Sequence, residues 1–205
     1  MVKRKEIPQH IVDAALELVS ERGWRGLSLG EVAVRARLPL AEVVDHFETK
    51  ADILVGFLSR LDAQVLRGEV EMGEPVRDRL FDVMMRRFEA MAPYKPAVRA
   101  ILRESGDDPY TLFCGAARFF RSMALMLEAA GLSASGVAGL LRVEGLAAIY
   151  LLTFRTWLRD DSPDMAKTMA SLDRYLRRAE VFVSNFRRRR AEPGPAGGPS
   201  GDVAV

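Results

Sequence analysis

The chain of 205 residues sets 30 lysines and arginines against 28 aspartates and glutamates, a net charge of +2, so no global field demands a polyanionic partner and any basic footprint must come from placement. Apolar residues make up 49% of it, enough for one good core or for a small domain leaning on a larger one. A single cysteine, Cys114, excludes a disulfide framework and a thiolate metal cluster, and the opening MVKRKEIPQH lacks the apolar centre of a signal peptide.

Alternating β-branched runs bounded by turn residues do not occur, whereas helix punctuation is dense. Ile7, Ile11, Ala14, Ala15, Leu18 and Val19 recur at helical spacing, and Gly23 ends that stripe in a C-cap position. SLGEVAVRA then opens on a capping box, Ser28 bonding forward and Glu31 bonding back, with Val32, Ala33 and Ala36 as a short apolar face. A turn RLP follows, Pro39 suiting the first position of another short helix that Phe47 closes. Thr49, with Asp52 three residues on, starts a longer helix through Ile53, Leu54, Phe57, Leu58 and Leu61. The spacing therefore predicts a head of three helices of about 14, 8 and 8 residues.

Beyond it the pattern changes scale. Helices are predicted near 49–70, 74–92, 94–105, 108–130, 133–158 and 163–190, with breaks at MGEP, MAPYKP, SGDDP, AAGLSASG and DDSPD, where proline or glycine interrupts the helix. From Ala191 the sequence AEPGPAGGPSGDVAV carries no apolar pattern and is expected to be disordered. No apolar run approaches the roughly 18 residues of a membrane span, so no stable membrane insertion is expected. The expected organisation is an all-α, soluble, cytoplasmic protein with a helix-turn-helix head over 1–48, a helical body over 49–190 and a tail over 191–205.

The stretch IVDAALELVSERGWRGLSLGEVAVRARLPLAEVVDHFETKADIL resembles the amino-terminal helix-turn-helix of TetR/AcrR-type transcriptional regulators. The likeness is carried by Ala14, Ala15, Gly23, Ser28, Val32, Ala33, Ala36, His46, Phe47, Lys50 and Leu54. It implies a homodimer that binds double-stranded operator DNA through its heads and a small ligand through its body. The departures sit where DNA contact is expected. Arg37 replaces the family's small turn residue, Pro39 a serine, Ala41 a glycine, Glu42 a threonine and Val44 a phosphate-contacting tyrosine. These changes remove hydroxyl donors and install a carboxylate, which near a phosphate costs about 1 kcal/mol at about 4 Å in water. Over residues 1–50 eight basic and eight acidic residues cancel. Phosphate binding nevertheless requires charge on one side only, and helix N-termini add backbone donors. The expected DNA contacts are Arg25, Ser28, Arg37, Leu40, Glu42, Val43, His46 and Lys50, assisted by a basic arm of Lys3, Arg4 and Lys5. Glu42 or Asp45 suits the N4 amine of a cytosine.

A second likeness competes with the first. GLAAIYLLTFRTWLRDDSPDMAKTMASLDRYLRRAE is similar to a TetR-like branch of lipid-binding accessory proteins of ubiquinone biosynthesis. That resemblance implies the same architecture without DNA binding, the body holding an isoprenoid or other lipid.

In the last long helix Met165, Met169, Leu172, Leu176, Ala179, Val183 and Phe186 follow a heptad seam, and the predicted helix spans about 42 Å. Small residues in the helix before it (Gly136, Gly139, Gly145, Ala147 and Ala148) permit close backbone approach. Two such helices from each of two chains would build a four-helix dimer interface, with heads about 34–36 Å apart; the alternative is that the seam packs within its own chain. Met84, Phe88, Phe113, Phe120, Met123, Tyr150, Phe154 and Trp157 form the expected lining of a pocket for a small apolar effector, against the alternative of ordinary core. Arg118, Arg121, Arg142, Glu144 and Arg155 are its candidate polar anchors. His10 and His46 are unaccompanied, so no metal is expected. Cys114 is read as a small buried hydrophobe, and Glu104, Asp107 and Asp108 as a charged helix end. Four arginines at 187–190 complement a helix dipole or meet an anionic partner. No Gly-rich phosphate loop or nucleophile elbow occurs, so neither cofactor nor enzymatic activity is expected.

Overall fold

The structure, a computed structural model, describes residues 6–107 and 109–191, with side chains described over 6–106 and 113–184. Lys3, Arg4, Lys5 and residues 192–205 therefore lie outside the described residues, as do the side chains of Phe186 and of the four arginines at 187–190. The described residues form α1 (Ile7–Arg22), α2 (Leu29–Ala36), α3 (Leu40–His46), α4 (Lys50–Leu66), α5 (Val76–Met91), α6 (Lys95–Glu104), α7 (Pro109–Ala129), α8 (Gly136–Trp157) and α9 (Ala166–Ala191), with no strand among them. Single 3₁₀ turns at Ala92–Tyr94 and Ser105–Asp107 flank α6.

Local chemistry sets the helix ends. α1 has Pro8 in its first turn and stops at Gly23, whose φ of 85° a residue with a Cβ rarely adopts and whose N–H bonds the Val19 carbonyl. Both predicted capping boxes form, Ser28 with Glu31 and Thr49 with Asp52, each satisfying two of the otherwise orphaned N–H groups at a helix start. α9 begins at Ala166, three residues later than the spacing predicted. The buried Asp160 carboxylate accepts from Ser162 N–H at 3.2 Å, from Thr168 N–H at 2.8 Å and from Thr168 Oγ1 at 2.7 Å, and so holds the turn into α9 in a non-helical path.

The first three helices close over Ile11, Trp24, Val32, Val43 and Phe47. α4 packs on α1 to one side and on α5 and α7 to the other, so one rod is shared by head and body. α6 also leans on α1, α8 packs on α7, and α9 lies on α5 and α8.

This packing corrects the seam. Leu172 and Leu176 are buried in the chain's own core, Met165 and Met169 pack against it, and Ala179 is half-buried, so the alternative of packing within the chain holds there. Only Val183 of the seam's described side chains stands exposed. The reason is that α9 lies along α5 and α8, and its continuous apolar stripe fills that contact. Gly139 and Ala147 likewise serve the same chain; a Cβ at Gly139 would overlap the backbone of Ala134. The open apolar face is another one. On α8 it consists of Val137, Leu140, Leu141, Leu151 and Leu152, with the exposed Gly145 and Ala148 between them, and on α9 of Val181 and Phe182, the last 72% exposed.

α8 also corrects the expectation that no helix approaches a membrane span. Arg142 and Glu144 interrupt the apolar run, yet the helix is long and apolar enough to cross a bilayer, and a third of that window is buried inside the chain. Its apolar character has a simpler origin, since one side packs on α7 and α9 and the other forms the open face just described.

Candidate nucleic-acid interface

The turn between α2 and α3 is built on Arg37, which takes the left-handed conformation (φ 55°, ψ 41°) that turns the chain sharply at the end of α2. Its N–H is shared by the carbonyls of Ala33 and Val34. Pro39 fixes the entry to α3, and Val43 and Phe47 anchor that helix to the core. Val43, expected at the DNA surface, is instead completely buried. The outward side of α3 presents Leu40, Ala41, Val44, Asp45 and His46, with Glu42 half-buried and Arg37 exposed at its start. Val44, four residues after Leu40, is exposed on the same helical face.

Ser28 is engaged: its hydroxyl accepts from Glu31 N–H at 3.3 Å and lies 3.0 Å from Glu31 Oε2. The Ser28 hydroxyl and backbone, with Arg22 adding to them, hold the Glu31 carboxyl below its ordinary range. Lys50 at the start of α4 reaches the Trp24 carbonyl at 3.5 Å and lies 5.2 Å above the Trp24 ring centroid.

Two arginines of the head are committed to its acids. Arg35 bonds Glu21 at 2.6 Å and Glu17 at 3.3 Å, and Arg22 bonds Glu31 at 3.2 Å. The hydrogen bond from Arg35 lowers the Glu21 carboxyl, and that same partnership raises the Arg35 guanidinium above its ordinary value. Arg60 of α4 takes Asp13 at 2.6 Å. Four of the acids counted against DNA binding, Asp13, Glu17, Glu21 and Glu31, are thus committed to arginines. His10 Nε2 donates to the Ala36 carbonyl, 2.9 Å away, tying α1 to the end of α2.

One long-range connection was misread from sequence. Glu104, taken as part of a charged helix end, reaches from α6 to the head and accepts from Trp24 N–H at 2.7 Å and Arg25 N–H at 3.1 Å. Its bond to Arg103 and these backbone donors lower its carboxyl pKa. A Cβ at Gly23 would run into this carboxylate, so the glycine serves both the helix end and the approach of α6. No spacing signal reveals it, since the partners lie 80 and 79 residues apart.

In the body, Met84, Phe88, Met123, Tyr150 and Trp157 are buried and Phe154 half-buried, whereas Phe113 (74% exposed) and Phe120 (46% exposed) face outward and enclose nothing within this chain. Phe88 stacks on Tyr150 at 5.1 Å, Tyr150 on Phe154 at 5.6 Å and Phe154 on Trp157 at 5.4 Å, with Phe119 tilted against Tyr150 at 5.4 Å. Of the candidate polar anchors, Arg118 alone is turned inward; Arg121, Arg142, Glu144 and Arg155 are exposed. A separate open cleft of about 350 Å³, lined by Gln64, Val65, Arg86, Glu89, Ala90, Pro93 and Tyr94, touches none of the predicted pocket residues. Cys114, expected buried, is half-buried on α7.

Residues 11–56 match the family model described as bacterial regulatory proteins, tetR family. The HTH-type transcriptional regulator AcrR of Shigella flexneri is 34% identical over 68 residues, which are 33% of this chain and 31% of that protein, so the match spans about a third of either length. Among solved structures, the TetR transcriptional regulator from Nitrosomonas europaea superposes with a TM-score of 0.71 at 23% identity, covering 85% of this chain and 98% of that one. A tetR-family transcriptional regulator from Streptomyces coelicolor gives 0.60 at 20% identity, covering 95% and 94%. NalD, the secondary repressor of the MexAB-OprM multidrug efflux pump in Pseudomonas aeruginosa, gives 0.54 at 20% identity, covering 84% and 95%. At these identities the likeness to the solved structures is one of fold.

Proposed function

We propose, from an amino-terminal domain that matches the tetR family model and a fold shared with TetR-family regulators over most of the chain, a cytoplasmic, homodimeric transcriptional repressor whose heads bind operator DNA and whose body binds a small apolar effector. The observation that carries this reading is the head itself: a capping box opens α2, the left-handed Arg37 makes the turn, and α3 is anchored by Val43 and Phe47 with its other side open. Arg25, Ser28, Arg37, Leu40, Glu42, His46 and Lys50 supply the contacts. Val44 joins them and Val43 leaves them for the core.

The open face of α8 and α9, rather than the heptad seam, supports the dimer. An apolar area of this kind across two adjacent helices is costly to leave in water, and pairing two copies buries it in a four-helix interface. Such a dimer presents two heads to successive turns of DNA, about 34–36 Å apart. The effector acts by preferring the arrangement with the wrong head separation, because equal affinity for both arrangements shifts nothing. α4, touching α1, α5 and α7, and Glu104, bonded to the turn after α1, are the physical links between the two parts. The lipid-accessory reading is not taken up, since the matched relative and the similar structures are named as transcriptional regulators.

The test is a mobility shift of full-length protein on the fragment upstream of its own gene, across a salt series. Wild type shifts the fragment, while Arg25→Glu and Lys50→Glu abolish the shift at physiological salt and each lower the salt slope by about one. A shift unchanged by both substitutions would refute the assigned face.

A further inference from the structure

At the junction of α4, α5 and α7 one carboxylate meets two guanidinium groups out of water. Asp62 (2% exposed) bonds Arg87 (1% exposed) through one oxygen and Arg118 through the other, and Ser122 Oγ donates to it at 2.8 Å. Arg118, its side chain 12% exposed, also donates from Nε to Ser59 Oγ at 3.0 Å. Tyr150 lies under Arg87, its ring centroid 5.7 Å from the guanidinium carbon. Burial keeps the phenol above its ordinary pKa, so it adds no negative charge. The junction therefore holds a surplus positive charge, and among the described residues Arg87 Nε and Arg118 Nη1 are buried with no hydrogen-bond partner. Buried charge is strongly disfavoured unless it is paired and its donors are used. An anion of the right reach would supply both.

What adjoins the surplus charge defines the rest of that anion. Tyr150 begins the stacked run through Phe154 to Trp157, flanked by Phe88 and Phe119. Phe119, next to Arg118 on α7, and Phe154 are only half-buried, so this aromatic run reaches the surface. We propose that this junction is an anchor for the carboxylate of an apolar acid, its head on Arg118 and Arg87 and its chain along Phe119, Tyr150 and Phe154. The inference rests on the reading of the body as an effector-binding domain and names the effector's chemical class. Arg118 is the recognition residue: removing its charge leaves Asp62 and Arg87 as a neutral pair.

The experiment is isothermal titration calorimetry of the full chain, without DNA, against dodecanoate, dodecanol and dodecyltrimethylammonium below their micellar concentrations. Wild type binds dodecanoate at least about tenfold more tightly than the alcohol and the ammonium, because a charge-assisted bond is made with the acid alone. Arg118→Gln brings dodecanoate to the level of dodecanol, with a thermal midpoint for the ligand-free variant at or above that of wild type. Arg155→Gln, on the open surface, keeps the preference. Equal affinity for acid and alcohol, preference for the cation, no heat with any probe, or an Arg118→Gln variant that keeps the preference or melts well below wild type would each overturn the proposal. The two readings fail separately. If dodecanoate binds with this preference but no fragment is shifted, the anchor stands and the regulator reading falls; if dodecanol releases a shifted fragment as readily as dodecanoate, the regulator stands and the anchor falls.

Discussion

On the outer side of the head, Arg35 bonds Glu21 and Glu17 and Arg22 bonds Glu31, all with at least one partner largely in water. Some distance along α4, Asp62 holds Arg87 and Arg118 largely out of water. The residue types are the same and the physics is opposite. In water an ion pair is screened and each partner retains good solvation when the other is removed, so the head's pairs matter less for holding the fold than for deciding which charges are committed elsewhere when DNA arrives. In the interior the two guanidinium groups depend on one carboxylate, and removing it exposes the full desolvation cost of both. Charge near the surface is therefore adjustable, and the carboxylate at the α4–α5–α7 junction is not.

The largest expected effect breaks the buried side of that comparison. Asp62→Asn leaves two guanidinium groups facing a neutral amide and is expected to destabilise the chain by about 3–5 kcal/mol, read as the loss of free energy in urea unfolding. Arg35→Gln, which breaks the most extended surface pairing of the head, leaves the urea midpoint unchanged within error. Equal losses for the two variants would mean that the junction is wet and that the contrast is false.

This contrast also explains what the sequence disclosed. Helix positions and both capping boxes were legible because they depend on neighbours within a few residues: Ser28 with Glu31, Thr49 with Asp52, Gly23 with Val19. The heptad seam was legible as a stripe, yet Leu172 and Leu176 face inward, because spacing reports that a face is apolar and not whose chain covers it. The open face of α8 was obscured for the complementary reason. Leu140, Leu141, Leu151 and Leu152 lie on a helix with apolar residues all round, so no single stripe stood out. Arg118 was one of five equivalent candidates until α4 and α7 brought it to Asp62, 56 residues away, and Glu104 joined the head across 80 residues. Long-range polar pairings of this kind leave no periodic trace.

Asp160 occupies the middle of the comparison, since it is buried like Asp62 but its partners are neutral donors. Burial pushes its carboxyl upward, and the hydrogen bonds from Ser162 and Thr168 outweigh that and hold it far below the usual carboxylate range. With the folded value depressed, the stability it lends is complete above the unfolded value of about 3.9 and disappears as pH falls from there through the folded value. Asp160→Ala, which strands the Thr168 N–H and hydroxyl, is expected to cost about 1–3 kcal/mol at neutral pH. In thermal melts from pH 7 down to pH 2 the variant falls less steeply than wild type below about pH 4. Parallel acid limbs would show that Asp160 is not the group that titrates.

The smallest effect tests whether surface charge and stability are separable at the DNA face itself. Arg37 holds φ 55° without being glycine, a conformation that costs an ordinary residue about 1 kcal/mol or somewhat more. Arg37→Gly relieves that strain, and the glycine's greater freedom in the unfolded chain offsets part of the gain, so the net stabilisation is expected to stay below about 1 kcal/mol. The same substitution deletes a cation at the entry to α3, and operator affinity falls with a salt slope reduced by about one. Stability and binding thus move in opposite directions, which neither a buried charge nor a packing residue would produce. If Arg37→Gly lowers both together, the side chain is braced by the fold and the head's surface charges are less adjustable than the comparison with Asp62 implies.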